Sequence, residues 1–227
     1  MITTVIFDLD DTLYDELDYC KSGFGAVSLF LASLPDKPSA ERIFDALWEQ
    51  FSGGNRTRTF NLALAELGTA DDDKLIAELL KVYRSHTPQI TLPQDSADVL
   101  EQIGSRYTLA LLTDGFLPAQ QLKVQALGIE KYFKSIVYTE QLGPDCWKPS
   151  PEGFEKIMRD LNAKPKTTAC VADNEKKDFL APNKLGCTTV QLIRPARIHT
   201  ESSQQQDTAA QYVIHKITRL PPLLEKL

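Results

Sequence analysis

Asp8 and Asp10 stand two residues apart at the end of an apolar segment, where their carboxylates could take part in chemistry. The preceding residues, Val5–Phe7, are wholly apolar, and side chains two apart in an extended chain point to the same side. Two neighbouring carboxylates resist joint ionisation unless a cation compensates their charge. The pair therefore indicates a bound cation.

Two further acids, Asp173 and Asp178, follow a second apolar segment, Thr168–Ala172. Carboxylate oxygens without histidine or cysteine favour a hard divalent ion, and Mg²⁺ is the natural one. The sequence therefore predicts a magnesium site where these acids meet.

Thr113, Gly115 and Lys148 supply groups that suit a phosphate. A hydroxyl and an ammonium bind phosphate oxygens, and glycine lets the backbone approach them closely. Each residue alone has a structural alternative, since Thr-Asp-Gly is a turn signal and Lys-Pro is weaker still. Their occurrence in order, each after a predicted strand, favours phosphate binding.

Apolar segments separated by helical patterns predict the strands that position these groups. The predicted strands are Thr3–Leu9, Thr108–Leu112, Ser135–Tyr138, Thr168–Ala172 and Thr188–Ile193, with an edge strand at Tyr212–Ile214. Alternating strands and helices with short connections indicate an α/β fold with a Rossmann-like, mainly parallel sheet. Ligands of such sheets bind beyond the carboxyl ends of the strands, which is where the polar residues occur.

One block, from about Asp15 to Arg84, contains helical patterns but no strand pattern. We therefore predict a Rossmann-like catalytic core formed by residues 1–15 and 90–227, interrupted by an all-helical cap domain at residues 16–89. Because the insertion follows the first acid cluster directly, we expect it to act as a lid over the site.

The composition bounds the class of protein. The 227 residues carry a formal net charge of −6, which argues against a nucleic-acid polymer as partner. No apolar stretch reaches the length of a membrane span, and the N-terminal residues lack the basic segment of a signal peptide. We therefore expect a cytoplasmic protein that binds no membrane, and the net charge does not exclude an anionic substrate.

Four motifs together resemble the haloacid dehalogenase-like (HAD) hydrolase superfamily, in the branch with a helical (C1-type) cap after the first motif. They are VIFDLDDTLY, LLTDGFLPAQQLKVQALGIEKYF, WKPSPEGFEKI and CVADNEKKDFLAPNKLG. The first is highly specific, and the resemblance extends from Val5 to about Ile193. It implies an α/β core, Mg²⁺ as cofactor and hydrolase activity on a phosphorylated metabolite.

Carried over residue by residue, the resemblance implies that Asp8 is the nucleophile, which forms an aspartyl-phosphate. Asp10 would protonate the leaving oxygen and then activate water. Crowding by other acids is expected to raise the pKa of Asp10. The remaining implied roles are phosphate binding by Thr113, Asp114 and Lys148, metal binding by Asp8, the Asp10 main-chain carbonyl and Asp173, and metal support by Asn174 and Asp178.

Position 114 departs from the family pattern, which often reads Thr-Asn-Gly. An ionised Asp114 side chain aimed at the phosphate would repel it, whereas a backbone contact would tolerate the change. Within the first motif, Asp11 is expected to shape the turn through its backbone, and Asp15 and Glu16 to form a solvated hinge.

Asp10 also discriminates between activities, because dehalogenase members of the family lack a second aspartate. Its presence favours a phosphatase acting on a nucleotide or sugar phosphate. A phosphomutase of the same superfamily and a catalytically silent binding protein remain the alternatives. Tyr14 and Arg56 are candidate substrate contacts, with solvated surface charge as the alternative for the arginine.

Overall fold

The computed structural model describes residues 1–69, 72–200 and 206–227. Within these ranges, six strands form one parallel sheet in the order β3-β2-β1-β4-β5-β6. The strands are β1 (Thr4–Phe7), β2 (Thr108–Thr113), β3 (Ser135–Tyr138), β4 (Thr168–Ala172), β5 (Thr188–Leu192) and β6 (Tyr212–Ile214). The predicted Rossmann-like parallel sheet is confirmed.

Strand β1 lies at the centre of the sheet, between β2 and β4. All four of its residues are buried, as expected for a parallel strand covered on both faces. Its last residue, Phe7, pairs with Leu111 of β2 and Val171 of β4. The carboxyl ends of these three strands are therefore neighbours at one edge of the sheet.

Nine α-helices lie between or after these strands along the described part of the chain. They are α1 (Glu16–Ala32), α2 (Ala40–Ser52), α3 (Thr59–Glu66), α4 (Asp73–Ser85), α5 (Gln94–Gly104), α6 (Ala119–Leu127), α7 (Glu152–Leu161), α8 (Leu180–Leu185) and α9 (Leu220–Leu224). Phe154 and Ile157 of α7 pack with Leu112 of β2 and Val137 of β3 in the apolar core. No helix in the described part of the chain is both long and apolar enough to cross a membrane.

The described residues divide into two compact units. One comprises Met1–Leu17 and Thr91–Leu227, and the other is Asp18–Ile90. In the second unit, the ring of Phe24 lies 5.3 Å from that of Phe51 and 5.5 Å from that of Tyr83. Helix α2 begins after Ser39, whose side chain accepts a hydrogen bond from the Arg42 N–H and so caps the helix.

Candidate active site

Asp8 is the first residue after β1. Its backbone N–H donates to the Val171 carbonyl of β4 at 2.9 Å, which continues the strand pairing and fixes the direction of the side chain. The buried carboxylate accepts a hydrogen bond from Lys148 Nζ at 2.5 Å and another from the Thr12 hydroxyl at 3.3 Å. Asp8 is therefore held rigidly at the edge of the sheet.

Lys148 connects Asp8 to the acids that follow β4. Its ammonium lies 2.6 Å from Asp178 Oδ1, and its side chain is almost wholly buried. Burial acts to lower the pKa of Lys148, but the charges of Asp178 and Asp8 leave it well above its ordinary value. The lysine is therefore a permanent cation at this point.

Asp173, the first residue after β4, brings a third carboxylate to the cluster. One oxygen each of Asp8, Asp173 and Asp178 lie within 4.8 Å of one another. Asp173 Oδ2 is buried and has no hydrogen-bond partner in the described ranges. Burial, and after it the charges of Asp8 and Asp178, raise the pKa of Asp173 to about 9. Burial also raises the pKa of Asp8 despite Lys148.

This cluster has the donor set that a magnesium ion requires. Three buried carboxylates supply hard oxygen ligands, and the unpartnered oxygen of Asp173 leaves one of them free to coordinate. Burial is the main cause of the raised pKa values, and the mutual repulsion of the carboxylates adds to it. The residues present therefore fit Mg²⁺, and Asp178, predicted to support the metal site, is a candidate ligand beside Asp8 and Asp173.

Asp10 and Asn174, two residues predicted at the metal site, are not part of that cluster of carboxylates. The Asp10 carboxylate is not among the clustered oxygens, so only its main-chain carbonyl remains as a candidate ligand. Asn174 stabilises the loop after β4, because its N–H donates to Asp178 Oδ2 at 3.1 Å and its side-chain oxygen accepts from the Lys176 N–H at 3.0 Å.

Asp10 points to a different set of partners, on helix α6. Lys123 Nζ lies 2.8 and 3.0 Å from its two oxygens, and Gln120 Nε2 lies 2.8 Å from Oδ2. Burial acts to raise the pKa of Asp10, but the charge of Lys123 and hydrogen bonds from Lys123, Tyr14 and Gln120 leave it below its ordinary value. The expectation of a raised pKa was wrong, because it counted the neighbouring acids without this lysine.

The end of β2 and the loop that follows it carry two of the predicted phosphate ligands, Thr113 and Asp114. The Thr113 hydroxyl is buried and has no hydrogen-bond partner in the part of the chain that the structure describes. The Asp114 carboxylate accepts hydrogen bonds from the Thr139 hydroxyl at 2.8 Å and from the backbone N–H of Lys148 at 3.2 Å. The unusual aspartate therefore links two loops of the site, and its side chain is already engaged.

Gly115 makes the close packing of that loop possible. Its φ is +142°, and a Cβ there would lie 2.5 Å from Gln120 Nε2. A side chain at this position would therefore displace Gln120, which contacts Asp10.

Asp11 and Arg194 shape the loop after β1. Asp11 has a φ of 56°, and its carboxylate accepts from the Glu16 N–H at 2.9 Å and the Ile198 N–H at 2.6 Å. Asp11 shapes the turn, as predicted, and its side chain contributes to this as well as its backbone. Arg194, which sequence reasoning missed, donates to the Thr12 carbonyl at 2.9 Å.

Residues 14–16 are more enclosed than predicted. Tyr14 is fully buried, and its hydroxyl donates to Asp10 Oδ1 at 2.5 Å. A substrate contact by Tyr14 stays a prediction. Glu16 is half-buried, and burial followed by the charge of Asp10 raises its pKa to about 7. It is not a freely solvated hinge.

Arg56 belongs to the second unit and is exposed. Its guanidinium carbon lies 5.8 Å from the centroid of the Phe51 ring, at a cavity of about 170 Å³ within that unit. A substrate contact by Arg56 stays a prediction.

Sequence reasoning missed Lys123, Gln120 and Lys177. A signal for the first two was present, since residues three apart on a helix share a face and both follow the Thr-Asp-Gly motif. Lys177 is half-buried, and its charge opposes the raised pKa values of Asp8 and Asp173.

Known proteins resemble this chain in sequence and in fold. A family model described as haloacid dehalogenase-like hydrolase matches residues 2–186. Glyceraldehyde 3-phosphate phosphatase of Methanopyrus kandleri is 30% identical over 86% of this chain and 85% of its own length. N-acylneuraminate-9-phosphatase of Rattus norvegicus is 26% identical over 100% of this chain and 95% of its own.

A solved structure extends the likeness to the fold. The 2-haloacid dehalogenase from Pseudomonas syringae pv. Tomato has a TM-score of 0.69 at 22% identity and covers 100% of this chain and 99% of its own. At that identity the likeness concerns the fold alone.

Proposed function

Because the chain belongs to the haloacid dehalogenase-like hydrolases, among relatives named as phosphatases, we propose that it is a Mg²⁺-dependent phosphomonoesterase that acts through an aspartyl-phosphate. One observation carries the proposal. Asp8 follows the central strand, contacts a buried lysine and clusters with two further carboxylates, and the buried Thr113 hydroxyl at the end of the neighbouring strand β2 has no partner in the described ranges.

Asp8 is proposed as the nucleophile. Its carboxylate oxygen attacks phosphorus, a P–O bond to the aspartate forms, and the P–O bond to the leaving alkoxide breaks. A carboxylate and a phosphate dianion repel each other, so the attack needs positive charge nearby. Lys148 supplies it 2.5 Å from Asp8. The Thr113 hydroxyl and the backbone N–H groups of the following loop suit the phosphate oxygens.

Asp10 is proposed to move the protons. It gives a proton to the leaving oxygen in the first step, and it takes one from the attacking water when the aspartyl-phosphate is hydrolysed. Its partners favour the ionised form before substrate binds. A phosphate dianion beside Asp10 would favour its protonation, because a neighbouring like charge raises the pKa of a carboxyl group.

Asp8, Asp173 and Asp178, with the main-chain carbonyl of Asp10, would hold Mg²⁺. When bound, the ion supplies the positive charge that the carboxylate cluster lacks and offsets the charge of the transferring phosphoryl group. The residues of the chain carry out nucleophilic attack, proton transfer and phosphate orientation.

The proposed substrates are small phosphorylated metabolites in the cytoplasm, either sugar phosphates or nucleotides. Two relatives support a sugar phosphate over a nucleotide. Their names refer to glyceraldehyde 3-phosphate and to N-acylneuraminate with its phosphate at position 9.

The test is phosphate release from a broad panel of phosphorylated metabolites, with Mg²⁺ and with a chelator. We expect Mg²⁺-dependent turnover of several panel members and loss of that turnover in Asp8→Asn. A wild-type protein inactive on the whole panel would refute the phosphatase proposal. Product that is an isomer of the substrate, with no free phosphate, would favour a phosphomutase.

A further inference from the structure

We propose that Lys123, Gln120 and Tyr14 are positioning residues that hold the Asp10 carboxylate in the one orientation suited to proton transfer. This inference rests on the proposed function, since it assigns the proton transfer to Asp10. It concerns Lys123 and Gln120, for which no role was predicted, and Tyr14, which was predicted as a substrate contact.

Lys123 is the first member of this group. Its side chain is nearly completely buried in the first unit, although its charge would favour water. A buried ammonium is tolerated only with a close counter-charge, because desolvation of an unpaired charge is expensive. Lys123 Nζ contacts both oxygens of Asp10, at 2.8 and 3.0 Å. Contact with both oxygens fixes the plane of the carboxylate as well as its position.

Gln120 joins Asp10 to the phosphate loop. Its amide nitrogen donates to Asp10 Oδ2 at 2.8 Å and also to the main-chain carbonyl of Asp114. Both neighbours are acceptors, so the amide nitrogen must face them, and the amide oxygen is left buried with no partner in the described ranges. The geometry therefore ties the acid-base group to the loop that carries Thr113.

Tyr14 completes the group from the other side. Its ring is fully buried, and its hydroxyl donates to Asp10 Oδ1 at 2.5 Å. Oδ1 thus accepts from Tyr14 and Lys123, and Oδ2 accepts from Gln120 and Lys123. Both oxygens are held, and the carboxylate cannot rotate without losing several hydrogen bonds at once.

Orientation of this kind has a specific kinetic consequence. A general acid contributes to a step in proportion to how much the leaving group needs its proton. An alkoxide is a poor leaving group and needs the proton, whereas p-nitrophenolate leaves readily without it. Misplacing Asp10 should therefore slow the hydrolysis of an alkyl phosphate more than that of p-nitrophenyl phosphate.

The experiment compares kcat/KM for p-nitrophenyl phosphate and for the best alkyl monoester of the panel, with Mg²⁺ present. For Lys123→Met we expect a loss of about 10²-fold on the alkyl ester, within the usual contribution of a general acid, and a loss at least about tenfold smaller on the aryl ester. The loss should be mainly in kcat. Lys123→Arg should recover part of it, and Asp10→Asn should show the same selectivity more strongly.

The matched control is Lys156→Met. Lys156 is also a helical lysine that pairs with an aspartate, Asp160, at 2.8 Å, but that pair is exposed. We expect this variant to keep both kcat/KM values and their ratio.

Two results would overturn the inference. One is an equal loss on both esters in Lys123→Met, as a structural role would give, and the other is unchanged kinetics in a folded variant. If Lys123→Met does not fold, Tyr14→Phe and Gln120→Leu provide the test, because they leave the ion pair intact. Each should lower kcat/KM for the alkyl ester by up to about tenfold, and by less for the aryl ester. A wild-type enzyme without phosphatase activity would refute the proposed function, whereas an active wild type with equal losses refutes this inference alone.

Discussion

The environments of Asp8 and Asp10 are two neighbouring sites with opposite electrostatics. Each carboxylate is largely enclosed, and each has a buried lysine about 2.5 to 2.8 Å away. Yet the pKa of Asp8 is raised, chiefly by burial, whereas the pKa of Asp10 is lowered because Lys123 and its neighbouring donors outweigh the burial. Lys148 contacts Asp178 as well as Asp8, so its charge serves two acids.

The acids and cations around each buried carboxylate determine whether the effect of burial on its pKa is overcome. The cluster of Asp8, Asp173 and Asp178 lacks positive charge and therefore fits a divalent cation. Asp10 has a lysine and two neutral donors of its own, and it needs no metal to stay ionised.

The largest expected effect comes from breaking the first site. Asp8→Asn removes the attacking carboxylate, so we expect activity on every substrate to fall by more than about 10⁴-fold. Phosphate release from alkyl and aryl esters should fall alike, because no leaving group can replace a missing nucleophile. Retained turnover on either ester would contradict the assignment of Asp8.

Breaking the second site should give a smaller and selective effect. Asp10→Asn is expected to reduce kcat/KM by about 10² to 10⁴-fold on alkyl phosphates, the usual contribution of a general acid and base. With p-nitrophenyl phosphate the loss should be smaller, because this leaving group needs no proton. Equal losses on the two esters would argue that Asp10 is not the proton donor.

Asp10→Asn and Asp173→Asn should change the stability of the metal-free protein in opposite directions. Asp10→Asn removes the carboxylate that contacts the buried Lys123 ammonium, which should lower the free energy of unfolding by about 3 kcal/mol. Asp173→Asn removes a group that must take up a proton on folding, which should raise the free energy of unfolding by at least about 1 kcal/mol at about pH 8. Denaturant unfolding in the presence of a chelator measures both changes. A stabilising Asp10→Asn would contradict the comparison.

The stabilising effect of Asp173→Asn should depend on pH. Unfolded, Asp173 loses its proton near its model value of 3.8, whereas in the folded metal-free protein it keeps the proton up to about 9. The unfolded state therefore binds fewer protons between these values, and the stability of the wild type falls as the pH rises through this window. The difference in Tm between Asp173→Asn and wild type should widen from about pH 5 to about pH 8.

Adding Mg²⁺ gives a complementary measurement, because the ion competes with the proton for the Asp173 carboxylate. Its stabilisation of the wild type should increase over the same range of pH, because ionised Asp173 is the form that coordinates. A shift in Tm on Mg²⁺ addition that does not depend on pH would show that Asp173 is not a ligand.

The smallest effect is expected at Asp114, where this chain departs from the Thr-Asn-Gly pattern of the family. Asp114→Asn keeps the side-chain oxygen that accepts from Thr139 and from the Lys148 N–H. We therefore expect stability within about 0.5 kcal/mol of wild type and kcat/KM changed by less than about threefold. Asp114→Ala, which removes the acceptor, should be clearly worse in both measurements.

Local patterns in the sequence were sufficient for the sheet and for the residues at its edge. Val5–Phe7 is apolar because a central parallel strand is covered on both faces. Asp8, Thr113 and Asp173 each stand at the end of an apolar segment, and parallel strands bring those ends together. A short apolar run and the residue that ends it are adjacent in the chain, so sequence alone determines them.

Tertiary structure alone decided the partners of those residues. Lys123 lies 113 positions after Asp10 in the chain, and no local pattern says that its ammonium meets that carboxylate. The sign of the Asp10 pKa shift therefore could not be predicted, because it depends on the distance to one distant lysine. The same holds for the hydrogen bonds of the Asp114 side chain and for Arg194 on the Thr12 carbonyl. Electrostatic energies depend on distances across space, and only the folded chain specifies them.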